Sequence, residues 1–178
     1  MSTKGRETRS VSRGLIAGSC GGLAGAWCMN QFQSAWSRVS KAVRSQKDEQ
    51  SSEFAGGQSS QRQSDPATVQ AAARLVHGVF GRDLTPKEKK VADPVMHYSF
   101  GTVTGAAYGI AAEVVPEAAA GAGLPFGAAV WLGADEIAVP ALGLSKPAWE
   151  SPLSTHVYAL ASHFVYGLTA ELTRRSVR

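Results

Sequence analysis

Hydrophobic and polar positions along this chain are segregated rather than mixed. Residues 14–37, 94–112, 118–134 and 151–170 contain no Asp, Glu, Lys or Arg, so all 18 basic and 14 acidic residues crowd into the remainder. A helix crosses a bilayer with about 20 predominantly apolar residues, and roughly 17–25 are tolerated. Four stretches of that size predict an all-α chain, a small multi-pass membrane helical bundle of about four transmembrane helices. A long polar connection separates the first from the second. The expected division is a basic N-terminal tail over 1–13, a first transmembrane helix over 14–31, amphipathic helices and a disordered linker over 32–93, and a three-helix membrane domain with a basic C-terminal tail over 94–178.

Finer patterning fills in the connection. Phe32, Trp36, Val39 and Val43 form a stripe at helical spacing while Arg38, Lys41, Arg44 and Lys47 face elsewhere. That is the pattern of an interfacial helix continuing from the first span. Residues 45–65 are Ser-, Gln- and Gly-rich and read as disordered linker. Asp65-Pro66 predicts an N-cap followed by proline at the first helical position. The helix it opens places Val69, Ala72, Ala73, Val76 and Phe80 on one face and ends at Gly81. Thr85-Pro86-Lys87-Glu88 spells a capping box for a helix leading into the second span, with Pro94 expected to kink it at the membrane surface. Pro116 closes that span, and residues 117–123 form a tight turn to the third. Trp149, Tyr158 and Tyr166 suit interfacial aromatic belts.

Glycine adds a second periodicity. Gly14, Gly18 and Gly22 recur at every fourth position, and Gly101, Gly105 and Gly109 repeat the device in the second span. Small residues at this spacing let another helix approach the backbone closely. Gly101, Gly105 and Gly109 are therefore a candidate packing ridge, a glycine zipper available to the other ridge or to a second copy of the chain.

Bulk composition tempers the membrane reading. Apolar residues make up 44% and the mean hydropathy is −0.09, because the charge-free windows are rich in Ala and Gly rather than Leu and Ile. A soluble or peripheral helical protein that binds a partner stays open as the rival. The net charge of +4 comes from basic residues flanking the windows instead of forming one stripe, which favours anionic lipid headgroups over nucleic acid. Cys20 and Cys28 lie about 12 Å apart along one helix, too far to bridge, and have no metal-site spacing. The basic head before the first window resembles a signal peptide, but no tidy cleavage site follows, so an uncleaved span is expected.

Ionisable residues within spans are costly and mark candidate functional sites. His163 falls near the middle of the fourth span, Asp135 and Glu136 lie inside the third, and His97 enters the second. Up-down order puts His97, Asp135 and Glu136 in one half of the membrane, with Glu113 and Glu171 at the opposite face. His97, Asp135, Glu136 and His163 are thus a candidate intramembrane polar cluster. Adjacent Asp135 and Glu136 point about 100° apart on an α-helix, so only one is expected to face inward. Such a cluster either fixes helix packing by hydrogen bonds or serves a proton or ion path through histidine; a metal site has no local ligand spacing behind it. No nucleophile elbow, phosphate loop or HExxH motif occurs, so no enzyme activity, catalytic residue, cofactor or metal is expected.

Several residues carry a resemblance. His97-Tyr98-x-Phe100, Tyr108, Ala112-Glu113-Val114-x-Pro116, Pro140-x-Leu142-Gly143-Leu144, His163 and Glu171-Leu172-x-Arg174-Arg175 are similar to the YagU-like family of small bacterial inner-membrane proteins, over about residues 92–178 and more loosely 12–32. The resemblance implies a bacterial inner (plasma) membrane location with both termini cytoplasmic. It supplies no activity and no catalytic residues, and the 45–65 connection and the Asp135-Glu136 pair have no match in it. The expected function is that of a non-enzymatic integral membrane protein, structural or accessory, with glycine ridges able to support a homo-oligomer. The alternative is a small proton- or ion-coupled transporter or channel built on the His/Asp/Glu cluster.

Overall fold

The computed structural model describes residues 3–49, 65–145 and 147–178. Among these residues the chain is all-helical. Helix α1 runs Thr3–Glu49, α2 Ala67–Phe80 and α3 Pro86–Val114. A tight turn over Pro116–Gly123 leads to α4, residues 124–141, and α5 spans Leu153–Val177.

Continuity is the first difference from expectation. The segment assigned to a tail, a span and an interfacial helix is one helix of 47 residues, about 70 Å long at 1.5 Å per residue. Its first part packs in the bundle, and after Trp36 it leaves it, with Val39 and Val43 exposed. The linker expected over 45–65 begins helical, and its middle lies outside the described residues. Pro94 sits within α3 without interrupting it.

Local signals hold where they are strongest. Thr85 and Glu88 form the reciprocal capping box, with the Thr85 N–H donating to Glu88 Oε2 at 2.8 Å and the Glu88 N–H to Thr85 Oγ1 at 3.3 Å. Gly81 ends α2 at φ +64, a left-handed position that glycine takes without Cβ strain. The Asp65 cap is a correction: Pro66 occupies the N-cap position without a side-chain cap bond, and the Asp65 carboxylate is held by Lys89 Nζ at 2.6 Å. A long lysine on α3 outcompetes the local turn. Phe80, expected on the packed face of α2, is exposed, while Val69 and Ala72 pack on Ala92 of α3.

Glycine contacts set the bundle's register. A Cβ added to Gly14 would meet the Gly109 carbonyl oxygen at 2.6 Å, one on Gly18 the Gly105 oxygen at 2.3 Å, and one on Gly22 the Gly101 oxygen at 2.2 Å. The two ridges therefore face each other antiparallel, inside one chain. A second copy cannot use that seam. Helix α5 packs on a neighbouring face of α1, with the Ala170 carbonyl against Gly21 and Tyr166 against Gly25. Helix α4 packs antiparallel on α5 through Gly123 and Gly167 and through Gly127 and the His163 carbonyl. The order is up-down-up-down, as the sequence implied.

Small side chains dominate the inside of the bundle, and many large apolar ones lie outside. The buried apolar set is dominated by Ala17, Ala26, Ala72, Ala92, Ala112 and Ala170, with the glycines beside them. Leu15, Ile16, Leu23, Trp27, Phe100, Val103, Leu132, Val157 and Leu168 are exposed. By length and hydropathy, however, only Pro116–Ala141 qualifies as a span among the described residues, with a mean hydropathy of 1.2. The other bundle helices fall short of the four expected spans because Gly, Ser, Thr and other polar residues dilute their hydropathy.

Candidate functional site: a histidine–carboxylate cavity and a buried ionic network

Helix α4 departs from α geometry where its acids lie. Trp131–Ala138 is π-helical, and the Val139 N–H reaches back five residues to the Ala134 carbonyl. Pro140 follows immediately; it lacks an N–H and its ring would clash with the carbonyl four residues earlier. A widened turn before it relieves that conflict. The consequence is chemical. A π turn advances each residue by less than 100°, so Asp135 and Glu136 are both directed at α5, contrary to the expectation that only one would be.

Their partners are two histidines on one face of α5, seven residues apart. His156 Nδ1 donates to Glu136 Oε1 at 2.7 Å, and His163 Nδ1 lies 3.8 Å from Asp135 Oδ2. The same His163 nitrogen donates to the Ala159 carbonyl at 2.9 Å, so that bond takes the proton. Asp135 accepts no hydrogen bond among the described residues, and its side chain is 42% exposed. His97 joins these groups around a cavity without touching them: its Nε2 donates to the Ala26 carbonyl of α1 at 3.1 Å, which places the proton on Nε2.

The cavity measures about 880 Å³ and lies between α1, α3, α4 and α5, with Ala67, Thr68 and Ala71 of α2 along one side. His97, Asp135, Glu136, His156 and His163 line it with a wall that is otherwise mainly apolar. Helix α2 is tied across this end of the bundle. Arg74 donates to the Leu142 and Gly143 carbonyls, Gln70 to that of Leu144, and Thr68 to Asp93. All four residues of the predicted polar cluster thus reach one cavity. His156 was missed by sequence reasoning, although its spacing from His163 within a charge-free window was a usable signal. No group of three or more metal-ligating side chains is arranged to hold an ion among the described residues.

At the other end, charge is buried rather than solvated. The Glu171 side chain is 0% exposed and accepts from Tyr108 Oη at 2.8 Å, Arg174 Nε at 2.7 Å and Arg175 Nε at 2.6 Å. Arg174, itself buried, reaches Glu113 at 3.6 Å, and Arg178 pairs with the same carboxylate at 3.0 Å. Glu113 and Glu171 were expected at this face, but not as one network joining α3 to α5. Between the two ends, Tyr108 stacks on Phe126 at 4.1 Å, and the Tyr166 hydroxyl donates to the Gly101 carbonyl at 2.7 Å.

Fold and site define a class: an all-helical bundle held by glycine contacts, with a histidine–carboxylate cavity at one end and a buried ionic network at the other. The chain belongs to the family described as Protein of unknown function (DUF1440), whose model matches residues 84–172, half of its length. That match takes in α3, α4 and most of α5, hence the whole His/carboxylate set and both network glutamates, and leaves the α1 glycines outside. Comparison with curated proteins and with solved structures returned no match.

Proposed function

We propose that the chain is an integral membrane protein whose four bundle helices, α1, α3, α4 and α5, each cross the bilayer. The carrying observation is the inverted packing: glycine and alanine inside, large apolar side chains outside, over stretches without formal charge. In water, half-exposing nine such side chains forgoes roughly 1 kcal/mol or more apiece, a total comparable to the net stability of a domain, about 5–15 kcal/mol. In lipid that cost disappears, and close backbone packing becomes the main cohesive force. The YagU-like resemblance supports a bacterial inner membrane with both termini cytoplasmic, where the basic ends meet anionic headgroups. Carbonate extraction tests the reading: the protein stays in the pellet, and release into the supernatant overturns it.

The activity is non-enzymatic and, in the simpler reading, structural or accessory. Because both glycine ridges are used within the chain, any homo-oligomer forms through the outward apolar faces instead. A second reading, proton- or ion-coupled passage, is favoured by the cavity and its three histidines and two carboxylates. Flux into liposomes that falls in His163→Ala and Asp135→Asn supports passage; no flux under several gradients removes it.

A further inference from the structure

The cavity has an electrostatic asymmetry that restricts what it can hold. With its histidines neutral, the described lining carries two carboxylates and no Lys or Arg. The two acids are not equivalent. Glu136 is hydrogen-bonded by His156 at 2.7 Å, whereas Asp135 has only the 3.8 Å approach of a histidine nitrogen whose proton is already given to a carbonyl. Asp135 is 42% exposed, so its carboxylate faces the opening of the cavity with no side chain committed to it and can take a positively charged partner. A cation is attracted by both carboxylates, an anion is repelled by them and a neutral occupant gains nothing from them, while among the described residues no ligand set is arranged for a bare metal ion. A volume of about 880 Å³ falls in the range that encloses a drug-sized molecule. Phe100 is half-exposed and in the lining, and an aromatic ring attracts positive charge.

We infer that this cavity binds a drug-sized organic cation, with its charged centre against Asp135 and its apolar body against Phe100 and the alanine-rich wall. The inference rests on reading the cavity as open to ligands, and it names the class of ligand that passage would serve. Gly133 supplies an independent handle. It lines the cavity, and a Cβ built there meets nothing within 4 Å, so a leucine at this position adds bulk to the lining without a clash at Cβ or a change of charge.

Two probes of nearly equal size and opposite charge test the idea: tetraphenylphosphonium and tetraphenylborate, titrated calorimetrically into the full chain in detergent at about pH 8, above the ordinary histidine range. The phosphonium is expected to bind saturably, at least about tenfold more tightly than the borate. Asp135→Asn weakens the phosphonium about tenfold or more, and Gly133→Leu abolishes its binding. Equal binding of the two ions, or unchanged phosphonium binding in either variant, overturns the inference. If Asp135→Asn loses its helical circular dichroism, Gly133→Leu and the borate comparison still decide. Phosphonium binding without liposome flux refutes passage and leaves the site standing. Flux without phosphonium binding refutes the ligand class alone.

Discussion

Replacing Gly105 with alanine adds one methyl group in the middle of the seam between α1 and α3. The new Cβ would lie 2.4 Å from Gly22 Cα and 2.6 Å from the Gly18 carbonyl oxygen, where ordinary contact begins at 3.4 Å. Both obstructing atoms belong to backbone, so no side chain can swing aside. The helices must part by about 1 Å, which forfeits a quarter to a half of the dispersion attraction along the seam. Overpacking of this kind costs typically about 1–3 kcal/mol. Alanine also gains roughly 0.5–1 kcal/mol over glycine in a helix interior, so the two effects oppose each other. Steric loss wins, because Gly101 and Gly109 in the same seam are separated along with Gly105. A net destabilisation of about 1–2 kcal/mol is expected. Gly78 of α2 is the control: nothing lies within 4 Å of its added Cβ, so Gly78→Ala gains about 0.5–1 kcal/mol from helix propensity alone. Reversible unfolding in mixed micelles, followed by circular dichroism, measures both. Two changes of the same sign, or a stabilised Gly105→Ala, refute the close backbone approach.

Arg174→Ala leaves Glu171 buried with a weakened partner set and costs about 3–5 kcal/mol, while Arg174→Met combined with Glu171→Leu recovers much of that loss; a single-variant cost below about 1 kcal/mol in the same assay rules out a structural role for the network. Tyr166→Phe removes a hydrogen bond to the Gly101 carbonyl and lowers stability by about 0.5–1.5 kcal/mol, seen as an earlier midpoint. Arg82, then the Thr85 N–H and hydroxyl, hold the Glu88 carboxyl down at about 2 against an ordinary 4.5. A depressed carboxylate stabilises the fold above its unfolded pKa and loses that contribution as pH falls. The stability difference between the unmodified protein and Glu88→Gln is therefore flat near neutrality and shrinks between about pH 4.5 and 2; a difference independent of pH refutes the assignment.

What the sequence determined by itself was local. Capping chemistry at Thr85 and Glu88, the left-handed stop at Gly81 and the turn after Pro116 depend on residues within a few positions of each other, where the interactions are short-ranged and their signatures repeat. Charge-free stretches marked the four bundle helices because helical periodicity is also local. The fourfold glycine spacing identified both ridges, and their complementary lengths made mutual packing legible. Tertiary structure alone decided the rest. Glu171 meets Tyr108, and Arg174 meets Glu113, only because α3 and α5 run parallel at that register. Asp65 prefers Lys89 to its own helix because another helix brings the ammonium within reach. Asp135 and Glu136 both reach α5 because Pro140 widens the turn before it, changing the angle between neighbours that regular α geometry would impose. Sequence spacing carries directions around one helix axis; the axial offset between helices arises from packing, and the cavity exists only once that offset is set.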